Sequence, residues 1–427
     1  MPLSKLQFKP GINREGTNYS NEGGWFNGDK IRFRAGYAER IGGWTRVSNT
    51  QVTGTPRKIF DFVTLTSQNL LFIGTEQKVF LENAGTFSDI TPIRSTVSLG
   101  ANPVDTTVGG AGSGVVTITT QAAHGAITGD FVTLAGLTAT DGITTAQLNK
   151  EQTILSVPST TTFTINTGGS ASAGSTAGGG SSGTAAFQIN IGLNTTVLGA
   201  GWGAGTWGRF TWGSAAGSLS GQTLRLFFAD NFGEDLLFNI ADGSIFYWDA
   251  TNGTSTRAVA LTSLTGASDV PTVARKILVS DVDRHVIVFG TNPIGSDTLD
   301  PLLIRFGSQE SLTDFTPTAT NTAGDLRLSK GSEIITAIQT SRQILVFTDQ
   351  SLYSMQFIGA PFTFGISLLG DNIRIAGPNT ALAVNDIVFW MGQENFYAYD
   401  GRIQVLPCSV RDYVFSDMNN QQSFKFH

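Results

Sequence analysis

Helical periodicity is almost absent from this chain. No window of 12 or more residues repeats apolar positions at i, i+3, i+4 and i+7. Short runs rich in Val, Ile, Phe, Tyr and Thr recur instead, broken by Gly, Asn, Asp and Pro. That pattern predicts an all-β protein.

The runs themselves repeat. LLFIG (70–74) leads through TEQ into KVFLEN (78–83), and LLFNI (236–240) leads through ADG into SIFYWD (244–249). ILVF (344–347) leads through TDQ into SLYSM (351–355), and IVFW (387–390) through MGQE into NFYAYD (395–400). VIVFG (286–290) opens a fifth copy, with a longer turn before 302–306. Starts at 236, 286, 344 and 387 are 50, 58 and 43 residues apart, near the spacing of four-stranded propeller blades. A lone hairpin leaves a face bare, and stacking blades around an axis covers it. The expected fold is a β-propeller; a β-sandwich with accidental similarity is the competing reading.

Residues 101–191 differ in texture. They hold five charged residues and are rich in Thr, Ala and Gly, with strands expected at 114–120, 130–134, 153–157 and 162–167. The small-residue run 168–183 reads as a flexible loop or exit linker, followed by a strand at 185–191. This segment is expected to be a small β-barrel inserted into the propeller. The domains are then a basic arm with first strands over 1–60, a discontinuous propeller over 61–100 and 192–427, and the insert. The chain stops at FKFH (424–427), in what reads as a new strand, which leaves closure of the last blade open.

Charged residues make up 14% of the 427, against the ~25% usual for soluble domains. The longest apolar run, 387–391, falls far short of the ~20 residues of a membrane helix. No secretory pattern opens MPLSKLQFKPG, a single Cys408 makes no internal disulfide, and three His leave little for histidine chemistry. The net charge of -6 is unevenly spread. Residues 1–60 carry ten Lys/Arg against four acids, and the remainder carries 17 against 29. A basic arm on an acidic body suggests an acidic neighbour or a merely solvated arm.

Two segments are candidate partner interfaces. KIRFR (30–34) alternates, so a strand would lay Lys30, Arg32 and Arg34 along one face and Ile31 and Phe33 along the other. Those cations either contact an acidic partner or DNA phosphates, or guard a sheet edge. Residues 192–222 place Trp202, Trp207 and Trp212 at five-residue spacing among glycines. They read as a docking loop or as a loop folded onto its own blade.

Motifs for chemistry are lacking. There is no P-loop, dinucleotide fingerprint, nucleophile elbow, metalloprotease helix or sialidase-type Ser-x-Asp-x-Gly-x-x-Trp turn. Asp281, Asp283 and His285 would share one strand face, a poor metal cage; a solvated or salt-bridged strand end is favoured. His124 reads as a turn residue, and Glu234 and Asp235 point apart in an extended chain. No residue is assigned to catalysis, cofactor or metal, and no enzyme activity is expected.

FKPGI (8–12), GGWFNG (23–28), RFRAG (32–36) and GGW (42–44) together resemble the start of tail structural proteins of tailed bacteriophages. DNFGEDLL (230–237), GSIFYWD (243–249), SDVDRH (280–285) and the Trp-Gly loop at 201–213 resemble the same group. AHG (123–125) with TGDFV (128–132) is similar to a small β-domain of many phage tail proteins. The resemblance implies a tail nozzle or hub built on a β-propeller at the distal end of a short tail. It implies a homo-oligomeric ring, usually a hexamer, in a virion assembled in the host cytoplasm. Its partners would be other phage tail proteins, on the adaptor or portal side and at the tail fibres. Double-stranded DNA would pass through without specific binding during ejection. A receptor- or glycan-binding tail protein, touching the host cell surface, is the alternative.

Overall fold

The computed structural model describes residues 8–46, 48–174, 177–197, 222–359, 362–419 and 422–426. It is almost entirely β. A hairpin of β1 (Ile31–Arg34) and β2 (Tyr37–Arg40) comes first. Ala35 and Gly36 both take positive φ at its two-residue turn, the geometry that matches strand twist.

Five four-stranded antiparallel blades follow. Blade 1 holds β3 (Pro56–Val63), β4 (Asn69–Thr75), β5 (Val79–Asn83) and β6 (Thr86–Asp89). The chain then leaves the propeller through β7 (Ile93–Gly100), β8 (Val104–Asp105), β9 (Val115–Thr119) and β10 (Phe131–Ala135). The short helix α1 (Thr145–Leu148) leads to β11 (Glu151–Ser159), β12 (Thr162–Asn166) and β13 (Gly183–Gln188). Blade 2 holds β14 (Phe227–Phe232), β15 (Asp235–Ile240), β16 (Ile245–Trp248) and β17 (Val259–Ala260). Blade 3 holds β18 (Ala274–Val279), β19 (Val286–Thr291), β20 (Asp300–Phe306) and β21 (Gly324–Arg327). Blade 4 holds β22 (Ile334–Gln339), β23 (Ile344–Thr348), β24 (Ser351–Gly359) and β25 (Thr363–Asp371). Blade 5 holds β26 (Ala381–Val384), β27 (Ile387–Met391), β28 (Phe396–Tyr399) and β29 (Ile403–Leu406). Helices α2 (Arg411–Asp417) and α3 (Ser423–Phe426) end the described chain. The FKFH end is thus helical over its described part, where a strand was expected.

The five repeats are the central hairpins of the five blades. Their shared turn has a local cause. In TEQK, the Thr75 hydroxyl accepts from the Lys78 amide (2.8 Å) and donates to the Lys78 carbonyl (2.9 Å). In TDQS, Thr348 does the same with Ser351 (2.8 and 3.1 Å). Both threonines are fully buried, so the hydroxyl satisfies backbone groups that water cannot reach.

Successive blades bury their faces on one another through four apolar clusters. Phe62, Leu70 and Phe72 of blade 1 meet Leu236, Phe238 and Trp248 of blade 2. Leu237 points the other way and joins Ile277, Val286 and Val288 of blade 3. Blades 3 and 4 share Phe289, Ile304, Val346 and Met355. Blades 4 and 5 share Phe347, Leu352, Val388 and Trp390.

The excursion between blades 1 and 2 is a seven-stranded sheet of order β7-β13-β10-β11-β12-β9-β8, with β7 and β8 at its ends. It has its own core around Val116, Ile118, Phe163 and Phe187. β7 was read from sequence as propeller, yet it pairs with β13 in this sheet. The small-residue run is not a free linker over its described part. Ala171 is buried, and the Ala173 and Gly174 amides donate to the Asp141 carboxylate (3.0 and 2.8 Å). A charged network holds the sheet to both blades. Lys78 donates to Asp89 (2.8 Å) and to Glu151, while Arg257 lies 3.3 Å from each of those acids.

The excursion begins and ends at one place, since the Ile189 amide donates to the Pro92 carbonyl (3.1 Å). Removing residues 93–188 and joining the ends through two glycines should leave a propeller that unfolds cooperatively. It should be less stable, because Lys78 and Arg257 lose Glu151. Urea unfolding followed by intrinsic fluorescence checks this, and a non-cooperative transition would refute separability.

Candidate functional site

β1 places the basic segment as a strand, as its alternation predicts. Ile31 and Phe33 are half-buried and Arg32 and Arg34 are exposed. Phe33 continues an aromatic row with Trp25 and Phe8, at ring distances of 6.1 and 5.7 Å. Two details depart from three free cations in a row. Lys30 precedes the strand in a left-handed conformation (φ 56°). Arg32 is matched across the hairpin by Glu39, Nε to Oε1 2.5 Å. Lys30 and Arg34 are the more available charges; Lys30 lies 4.0 Å from an equally exposed Asp29. Trp202, Trp207 and Trp212 lie outside the described residues.

The Asp281–His285 segment is a turn between β18 and β19, not a strand, so its side chains do not share a face. His285 is buried, with Nε2 3.0 Å from the Thr322 hydroxyl and its ring against Phe364. Burial holds it below the usual histidine range. His124 sits between Phe163 and Phe187, and its Nδ1 accepts from the Ala126 amide (3.0 Å). Both histidines are structural. Among the described residues, no three His, Cys, Asp or Glu are grouped to hold a metal. Asp235 accepts from the Tyr247 hydroxyl (2.7 Å) and the Ala250 amide (2.9 Å), and Glu234 turns away to the Leu65 amide (3.0 Å). Burial, that hydrogen bond and the neighbouring acids push the Tyr247 phenol up, away from a phenolate nucleophile.

The sequence gives no warning of the polar cluster at the propeller axis. Inner strands β3, β14 and β18 bring Lys58, Asp230 and Lys276 close enough for their charges to act on one another. The Lys276 ammonium donates to the Thr336 hydroxyl (2.8 Å) and the Ala337 carbonyl (2.7 Å) of blade 4, over the Phe228 ring. Burial, then the charge of Lys58, lowers Lys276 to about 7 despite Asp230. Asp230 accepts from the Val279 and Asn231 amides (2.8 and 2.9 Å), yet burial dominates and raises it to about 6. Beside this cluster a cavity of about 100 Å³ is lined by Leu226, Phe228, Arg275, Ile335, Pro378 and Phe424. It holds only a few waters, at ~30 Å³ each. A DNA duplex, whose major groove alone is ~12 Å wide, cannot thread it.

A second concavity, of about 410 Å³, opens at the surface between blades 4 and 5. It is lined by Arg342, Gln343, Gln356, Asp386, Tyr399 and Asp400. Gln343 is fixed from both ends: its amide donates to the Tyr399 hydroxyl (3.1 Å), and its carbonyl accepts from Ser354 (2.5 Å) and Gln356 (3.1 Å).

No family model matches the chain, and no curated protein matches its sequence. Two solved structures are similar at a low level. The phage phi92 endosialidase is 10% identical, with a TM-score of 0.20 over 80% of this chain and 45% of its own. The computationally designed Ika8 protein is 9% identical, with a TM-score of 0.24 over 84% and 89%. This chain therefore spans less than half the endosialidase's length, and neither likeness informs the sites above.

The axial pair makes stability depend on pH in two opposed ways. Between 3.8 and about 6 the folded chain holds a proton on Asp230 that the unfolded chain releases, so stability falls as pH rises. Between about 7 and 10.5 the unfolded chain holds one on Lys276 that the folded chain lacks, so stability rises. Urea midpoints across pH should pass through a shallow minimum near about pH 6–7. In Lys276→Met the rise on the alkaline side should flatten; an unchanged slope would refute the assignment.

Proposed function

We propose that this chain is a non-enzymatic component of a bacteriophage virion tail. In this reading, copies of it form part of the DNA conduit of a short tail and dock adjoining tail proteins. The ordered run of sequence patches resembling phage tail proteins, from FKPGI to SDVDRH, carries the proposal. The geometry adds a constraint: the axis inside one propeller is filled, so a conduit has to run between subunits of a ring. The excess of 29 acids over 17 cations beyond residue 60 suits a wall that passes a polyanion without gripping it.

The groove between blades 4 and 5 favours a second reading, a receptor- or glycan-binding tail protein. Its fixed amides and Tyr399 offer the polar and aromatic contacts that sugars take. A negative-stain image separates the two: a ring with an axial hole supports the nozzle, and an elongated trimer supports the fibre.

The basic hairpin gives a test of docking. Exposed ion pairs contribute only ~0–1 kcal/mol each, so Arg32→Ser alone, already matched by Glu39, should change little. Changing Lys30, Arg32 and Arg34 together to Ser should leave the monomer folded and weaken assembly. Raising salt should bring wild-type assembly down towards the mutant, because the same contacts are screened. Sedimentation at two salt concentrations checks this; normal mutant assembly at both would sink the docking role.

A further inference from the structure

Blades 2, 3 and 4 have both faces covered, and blades 1 and 5 have one each. The inner strands pack in series, β3 on β14, β14 on β18, β18 on β22 and β22 on β26, with no comparable packing of β26 on β3. On blade 5, Val388 and Trp390 are buried against blade 4. Their opposite-face neighbours Leu382, Val384 and Phe389 are 63%, 46% and 37% exposed. On blade 1, Phe62 is buried against blade 2, while Ile59 and Val63 are 59% and 55% exposed. A sheet face meant for water carries polar residues at such positions. These two faces carry the aliphatic and aromatic residues of the interblade cores, and contiguous apolar surface of this kind marks an interaction site.

We infer that the two bare faces bound a cleft that seats one further blade: an antiparallel β-sheet, apolar on both faces, laid against β3 on one side and β26 on the other. The cleft continues an interface the molecule already makes four times. A second copy of the chain is a poor occupant. Among the described residues no sheet has two free apolar faces: blades 2 to 4 are covered, blades 1 and 5 offer one face each, and the β1–β2 hairpin bears Arg32 and Arg34 on one side. The entry point is defined too. The axial cavity is lined by residues at or just before the starts of β14, β18, β22 and β26, and Phe424 of α3 lies among them. The Lys425 carbonyl accepts from the Arg57 guanidinium at the start of β3 (3.4 Å). A sheet joined after residue 427 would therefore enter where every inner strand begins. The inference does not depend on the tail reading.

The test uses a blade known to present two apolar faces. The chain as it stands should bind a dye that fluoresces on apolar surface. Appending a second copy of residues 330–376 after residue 427, through a short Gly/Ser linker, should remove most of that fluorescence. It should also raise the melting temperature by several degrees and yield a protease-resistant monomer. Ile59→Asp with Leu382→Asp in the extended chain should reverse all three effects. In the unextended chain the same pair should leave the fold intact and lower dye binding. Absence of dye binding by the unextended chain would overturn the inference, as would proteolytic loss of the appended blade with dye binding unchanged. A concentration-dependent dimer of the unextended chain that hides the dye site, and that Phe389→Asp disrupts, would assign the cleft to a second copy and overturn it as well.

Discussion

A four-stranded sheet with apolar residues on both faces is not stable alone in water; it must be covered twice. That requirement organises this molecule. Period-2 alternation sends Leu236 and Phe238 to one neighbour and Leu237 to the other, so each blade joins two cores and no single core spans the protein. Polar groups caught between blades become stitches. Asn239 is fully buried, donates to the Ala274 carbonyl (2.9 Å) and accepts from the Ile277 amide (3.2 Å), locking the register of blade 2 on blade 3.

The repeating hairpins were legible because two local signals coincide in them: alternating apolar residues, and a Thr that closes the turn in TEQK and TDQS. Other features left weaker traces. β7 reads IRSTVSLG, an alternation as compatible with a blade edge as with the sheet it joins, and only its pairing with β13 decides. Lys276 is flanked by apolar residues in ARKILV, a pattern that also describes a snorkelling surface lysine, so nothing local announces its burial at the axis. The turn at 281–284 looked like a strand because Asp and Val alternate there, but Arg284 takes a left-handed conformation that breaks it. The bare faces of blades 1 and 5 were beyond sequence. IVFWM carries the same residue types on its covered and uncovered sides.

Charge in this protein works at two levels. At the surface, Arg32 and Glu39 settle each other across a hairpin in high dielectric, a weak contact that salt erodes. Inside, Lys78, Asp89, Glu151 and Arg257 join three sheets at a point shielded from water. Burial alone would raise the Asp89 carboxyl; hydrogen bonds from Lys78 and Thr91 and the charges of Lys78 and Arg257 outweigh it and hold it below the usual range. The first kind suits reversible docking, the second permanent architecture.

The excursion also sets a timetable. β7 and β13 lie side by side, so the seven-stranded sheet can close as soon as β13 has been made. Blade 1 cannot finish. Its Phe62, Leu70 and Phe72 face waits for Leu236 and Phe238, whose strand β15 is translated more than 130 residues after β6. At ~5–20 residues per second, that wait on the ribosome lasts on the order of ten seconds. A nascent chain holding a finished appendage and an unfinished, apolar first blade is the species on which a chaperone, or a misassembly between neighbouring ribosomes, would act.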